Sequence, residues 1–342
     1  MTLLATIVIF GALIFIHELG HFLFAKRVGV QVEEFSLGMG PKVLGSKRGE
    51  TLYSLRAFPI GGFVRMAGME NEEEVVPEGK SFNDKTVLQR MGVIFAGPLM
   101  NFVLAILLFV IVFAFVGVGV PTNNPVIGQV LPDRPAAEAG LTAGDKINSI
   151  NGQEVESWKE LTDIIHGQAG NLITLTVIRQ GEQMEFKVTP EYDQQSQVGL
   201  IGIYQEVNLK RYGVFKSVWL GLQQSYEVTK LILVGLAQMI TGQTEAEVTG
   251  PVGIIGLIGQ AVQFGLASVL NFAAILSLHL GLINLFPIPA LDGSRLVFLG
   301  FEGLRGRPLD PNKENFIHLM GFVLLMLLMV VITYKDIAKL FG

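Results

Sequence analysis

His17 and His21 stand four residues apart with Glu18 between them, in the stretch FIHELGHFLFA at residues 15–25. On a helix, positions i and i+4 share a face, so the two imidazoles converge on one metal ion. Glu18 lies alongside to move a proton. The chain contains no cysteine, which excludes disulfides and leaves His, Asp, Glu or water to complete a metal site. A catalytic zinc takes three protein ligands and keeps its fourth position for water. The candidates for the third ligand are Asp292, His279 and Glu302. Asp292 follows NLFPIPAL, where Pro287 and Pro289 cannot continue a helix and leave irregular backbone. At membrane depth such backbone is tolerated only where it is buried in protein or lines a cavity.

The elements that carry these residues are apolar. Of 342 residues 50% are hydrophobic and 16% charged, with a mean hydropathy of +0.49, which fits a polytopic membrane protein carrying one soluble insert. The net charge of −5 and the lack of a basic tract exclude a nucleic-acid partner. Four candidate spans read as residues 2–25, 92–118, 268–289 and 316–334. The first lacks a basic leader region and a small-residue cleavage site, so it reads as a retained helix. Ionisable groups inside such a span cost about 2.5–3.5 kcal/mol each, which makes a functional role the default. A polar network gluing helices together is the competing structural role.

Basic residues between spans one and two (Lys26 to Arg90) and between spans three and four (Arg295 to Lys313) place both loops in the cytoplasm. His17 then lies about 22 Å inward from the start of its span. Asp292 reaches a similar depth only if residues 214–241 do not cross. The constellation therefore argues for four spans, with 214–241 as an amphipathic interfacial helix bearing Lys216, Glu227 and Lys230. His279 lies about three helical turns too far outward, and His166 and His318 read as ordinary. Residues 124–190 change character. INSINGQEV is a strand running into an Asn-Gly turn, Ser157 and Glu160 predict a helix start, and ITLTVIRQGEQMEFKVT alternates as a hairpin. Residues 51–69, TLYSLRAFPIGGFVRMAGM, read as strand–turn–strand with Gly61 and Gly62 at the turn.

HELGH in the first span, GPLMN (Gly97 to Asn101) in the second and NLFPIPALDG (residues 284–293) in the third together resemble the site-2 protease family of intramembrane zinc metalloproteases. Within it the chain is similar to the bacterial RseP-type, regulator-of-sigma-E proteases, in a short form with one PDZ domain. The resemblance implies zinc held by His17, His21 and Asp292, with Glu18 as catalytic acid/base and Asn101 and Asn284 lining the substrate site. It implies a membrane re-entrant β-loop at 51–69, whose edge near Gly61, Gly62 and Phe63 receives the unwound substrate by strand addition. PAAEAGLTAGDKINSINGQEV resembles HtrA-type PDZ domains, which capture peptide termini. The implied architecture is a four-helix bacterial cytoplasmic-membrane core, residues 1–118 and 266–342. It carries an extracytoplasmic α+β PDZ domain at 124–190 and a connecting region at 191–265. The implied partners are the lipid bilayer and single-span membrane proteins already trimmed by another protease, such as anti-sigma factors or remnant signal peptides. The PDZ domain then binds a peptide terminus or filters substrates by size.

Two rival functions share the same HExxH. One is a membrane zinc hydrolase of a non-peptide substrate; the other is a PDZ adaptor with a structural metal. The peptide-handling elements weigh against the first. Three ligands without cysteine weigh against the second, because structural zinc is normally closed by four.

Overall fold

The computed structural model describes residues 1–69, 77–194, 196–244, 249–308 and 310–341. In chain order these form α1 (Thr2–Arg27), β1 (Val32–Arg48), β2 (Thr51–Met66) and α2 (Val87–Ile111), which continues as a π-helical turn over Val112–Val116. An inserted segment carries β3 (Val118–Pro121), β4 (Ile127–Val130), α3 (Pro135–Glu138), β5 (Lys146–Ile150), β6 (Gln153–Glu154) and α4 (Trp158–His166). It continues with β7 (Ile173–Arg179), β8 (Glu182–Val188), β9 (Glu191–Asp193), β10 (Val198–Leu200), β11 (Ile203–Gln205) and β12 (Val207–Lys210). Then follow α5 (Val214–Ile240), α6 (Pro251–Gln263), α7 (Leu266–Asn284), α8 (Asp292–Arg305) and α9 (Pro311–Phe341). The chain divides into two compact units, Met1–Val116 with Tyr212–Gly342, and Gly117–Arg211.

In the first unit, Thr2–Arg27, Val87–Val116, Leu266–Asn284 and Asn312–Lys339 are long and apolar enough to cross a membrane. α1 closes on α2 at Gly20, where an added Cβ would lie 2.2 Å from the Ala96 carbonyl oxygen. Such close approach through small residues is how helices pack in lipid, where hydrophobicity alone gives no attraction between them. The same device appears in α5, whose buried Ser217, Gly221 and Ser225 recur every four residues; Gly221 faces Ile106 and Val110 of α2. α5 thus packs against a membrane span, while Phe215, Trp219, Tyr226 and Leu231 on its other faces are exposed. α6 buries Ile258 among Ile9, Leu13 and Ala273. Its first turn donates Gly250 and Gly253 N–H groups, at 3.2 and 2.8 Å, to the Asp336 carboxylate of α9.

The region around residues 51–69 corrects the expected strand–turn–strand. Its turn is not at Gly61–Gly62; β2 is one long strand that bends there, with Gly61 at φ +86°. Its partner is β1, with the reversal at Gly49–Glu50. Glu34 to Leu37 pair on one side with Leu52 to Leu55 and on the other with Gly62 to Arg65, so two bent strands make a four-ply sheet. The stretch Gly62–Met66 is an outer ply, with no further strand beside it among the described residues.

In the second unit, β6-β5-β7-β8 form one antiparallel sheet around Ile147, Ile150, Leu161, Ile173, Leu175 and Val177, all buried. Ser157 caps α4 by accepting from the Glu160 N–H, and Gln180–Gly181 turn β7 into β8 with both φ angles positive. The unit is wider than the expected 124–190. β12 pairs with β3 and β11 with β4, so residues up to Arg211 belong to this domain and not to a connector.

Candidate active site

Helical spacing brings His17 and His21 to one buried face of α1, and α8 opens on Asp292 directly opposite. Asp292 Oδ2 lies 3.1 Å from His17 Nε2 and 3.4 Å from His21 Nε2, and the two nitrogens are 3.2 Å apart. A tetrahedral zinc with bonds of about 2.0–2.1 Å spaces its ligands by about 3.3–3.4 Å. The triangle therefore fits that ion. Asp292 Oδ2 is buried and, despite its two close neighbours, has no hydrogen bond of acceptable geometry. Three atoms with lone pairs facing one point ask for a cation rather than for each other.

The supports of each ligand are local and specific. His21 Nδ1 donates to the Val93 carbonyl of α2 at 2.8 Å, which leaves Nε2 as the free lone pair. Pro98, inside α2, has no N–H and so leaves the Ile94 carbonyl, one turn back, without its helical donor. Gly97 makes room for the ring, since a Cβ there would lie 2.3 Å from His21 Nε2. The Asn101 amide stands 3.2 Å from His17 Nδ1. Asp292 sits in the first turn of α8, where the helix dipole favours an anion. Ala290, at φ +77°, donates its N–H to His318 Nδ1 of α9 at 3.2 Å, and Gly293 abuts the Phe286 carbonyl.

These ligands open on a cavity of about 860 Å³ that also receives Glu18, Gly61, Gly62, Phe63, Asn284 and Arg295. Gly62 lies against Glu18, with an added Cβ only 3.1 Å from Glu18 Cγ. Asn101 is the exception among the expected substrate-lining residues. It is fully buried and stands behind His17 rather than on the cavity wall.

The alternative third ligands lie elsewhere. His279 donates to Ile275 within α7, and Glu302 accepts a two-pronged ion pair from Arg90. His166 ends α4 in the other unit. His318, which reads as ordinary in the sequence, lines the cavity and holds the Asp292 loop. No local motif marks it, because its partner Ala290 is 28 residues away.

The model of peptidase family M50 matches residues 5–328. Over an aligned 419 residues the chain is 36% identical to the zinc metalloprotease RasP of Geobacillus kaustophilus, covering 99% of this chain and 98% of that protein. It is 34% identical to the regulator of sigma-W protease RasP of Bacillus subtilis, covering 99% of each. The crystal structure of the PDZ domain of an SdrC-like protein from Listeria innocua aligns with 24% of this chain and 93% of its own length. Its identity is 27% and its TM-score 0.23. The expected resemblance to site-2 proteases holds: the chain belongs to peptidase family M50 and is a multi-pass membrane zinc metalloprotease.

Proposed function

We propose that His17, His21 and Asp292 hold the zinc, that Glu18 is the acid/base, and that the enzyme cuts a peptide bond inside a substrate's membrane segment. The observation that carries this reading is the 3.1–3.4 Å triangle of ligand atoms, set on a membrane helix and opening on a cavity edged by an outer β-ply. Bound zinc supplies a Lewis acid and water acidified to near neutrality. Glu18 accepts the proton of the attacking water and passes it to the departing amide nitrogen. A substrate helix hides its peptide bonds within its own hydrogen bonds, so it must unwind before cleavage. The Gly62–Met66 ply offers its outer N–H and C=O groups to the released backbone, and Asn284 contributes a polar group to the same wall.

In this reading the β1–β2 sheet is re-entrant from the cytoplasmic side and α5 serves as an interfacial helix. The Gly117–Arg211 unit is an extracytoplasmic PDZ domain that meets a peptide terminus. The Bacillus subtilis relative is named for sigma-W regulation, and an anti-sigma factor already trimmed outside the membrane is the substrate class we propose. The test is zinc content and cleavage of a single-span peptide by the purified protein. Glu18→Gln should keep zinc and lose at least about a hundredfold in turnover, whereas Asp292→Ala should lose both. Wild-type turnover by Glu18→Gln would refute the acid/base assignment.

A further inference from the structure

We infer that Asn101 is a positioning residue for His17: its amide oxygen accepts the His17 Nδ1 proton and so keeps Nε2 available to the metal. This rests on the ligand set proposed above. An imidazole that binds metal through Nε2 carries its proton on Nδ1, and that N–H needs an acceptor. His21 has one in the Val93 carbonyl. Facing His17 Nδ1 is the Asn101 amide, with Nδ2 at 3.2 Å.

The nitrogen and oxygen ends of a carboxamide are almost isosteric, and a half-turn brings Oδ1 against Nδ1. Oδ1 is buried where it stands and has no hydrogen-bond partner, so the half-turn supplies the donor that it lacks. The backbone beneath is fixed from a third helix, since Ser277 Oγ of α7 donates to the Asn101 carbonyl at 2.7 Å. Full burial and absence from the cavity wall leave the amide no access to substrate. One turn of α2, from Gly97 to Asn101, thus serves both imidazoles.

The test uses full-length protein in detergent. Zinc affinity is read by competition with a chelating dye, and ligand geometry by the visible spectrum of the cobalt-loaded protein. Asn101→Leu should weaken zinc binding 10- to 100-fold, the range expected for loss of an acceptor behind a ligating imidazole. Asn101→Asp should restore affinity to within about threefold of wild type and recover the cobalt spectrum, because a carboxylate accepts the same proton. Asn101→Ala replaces the leucine variant if that one fails to fold. Near-wild-type affinity without the acceptor, or equal loss in the Asp variant, would overturn the inference. His17→Ala and Glu18→Gln run beside them. If His17→Ala binds zinc as tightly as wild type, it is the ligand assignment that fails, and the inference falls with it.

Discussion

Gly97 has no side chain because the imidazole of His21 occupies the space, and this determines what any substitution there will do. A methyl group 2.3 Å from Nε2 must displace the ring, since α2 and α1 are already in contact at Gly20. Gly97→Ala should therefore lower zinc affinity by at least about tenfold, a loss within the range seen when a ligand's supports are disturbed. Chelator competition on the purified variant checks this. The sequence displays the two proposed histidine ligands openly, because two imidazoles and the Glu18 carboxylate are too costly to place on an apolar helix without a function that uses them. The third ligand stays open there among Asp292, His279 and Glu302. The sequence also carries GPLMN, but not the division of labour within it. Whether a buried asparagine faces substrate or a histidine depends on which helix passes behind it, and spacing along one helix holds no such information.

At the scale of elements, the edge near Gly61 to Phe63 was expected, but β1, the strand it pairs with, is the part that the sequence concealed. β2 alternates and reads as a strand; β1 contains Gly38, Gly40, Pro41 and Gly45, which read as loop. Those glycines are what let the strand bend and pair on both of its edges, with Gly38 and Gly40 at positive φ. Gly62 has a different constraint, because a Cβ would press on the Ser36 carbonyl at 2.9 Å and on Glu18 at 3.1 Å. Gly62→Val should depress cleavage at least about tenfold, the scale of a misplaced catalytic group, while zinc per chain stays at the wild-type value. Zinc content and peptide cleavage measured on one preparation separate the two. In the other unit, Asp145 is fully buried and receives Arg179 Nε and Nη2 at 2.7 and 2.8 Å. Burial raises its carboxyl, but these bonds and those from Thr142 outweigh burial and hold it below the ordinary range. A depressed folded value stabilises the domain fully above the unfolded carboxyl value of about 3.9 and ceases to do so as pH falls through the folded one. Thermal unfolding followed from pH 5 to pH 2 should show this loss setting in below about pH 4. Asp145→Asn should be destabilised by about 1–3 kcal/mol at neutral pH and show a shallower acid dependence.

For the whole molecule, hydropathy disclosed the four apolar helices, and alternation with turn chemistry disclosed the heart of the inserted unit. Its true extent was hidden because β9 to β12 are only three or four residues long, too short to show a period, and β11 and β12 pair with β4 and β3 from the opposite end of the segment. The order of the site's parts along the chain has a consequence for biosynthesis. α1 is made first, with two imidazoles in an apolar helix, and Asp292 follows about 270 residues later. At roughly 5–20 residues per second that is an interval of roughly 15–55 s. Val93 and Asn101 arrive after only about 80 residues, so α2 can give each imidazole a hydrogen-bond partner long before the third ligand exists. On the ligand set proposed above, a nascent chain so arranged partners its histidines early and completes its metal site only shortly before the last span is translated.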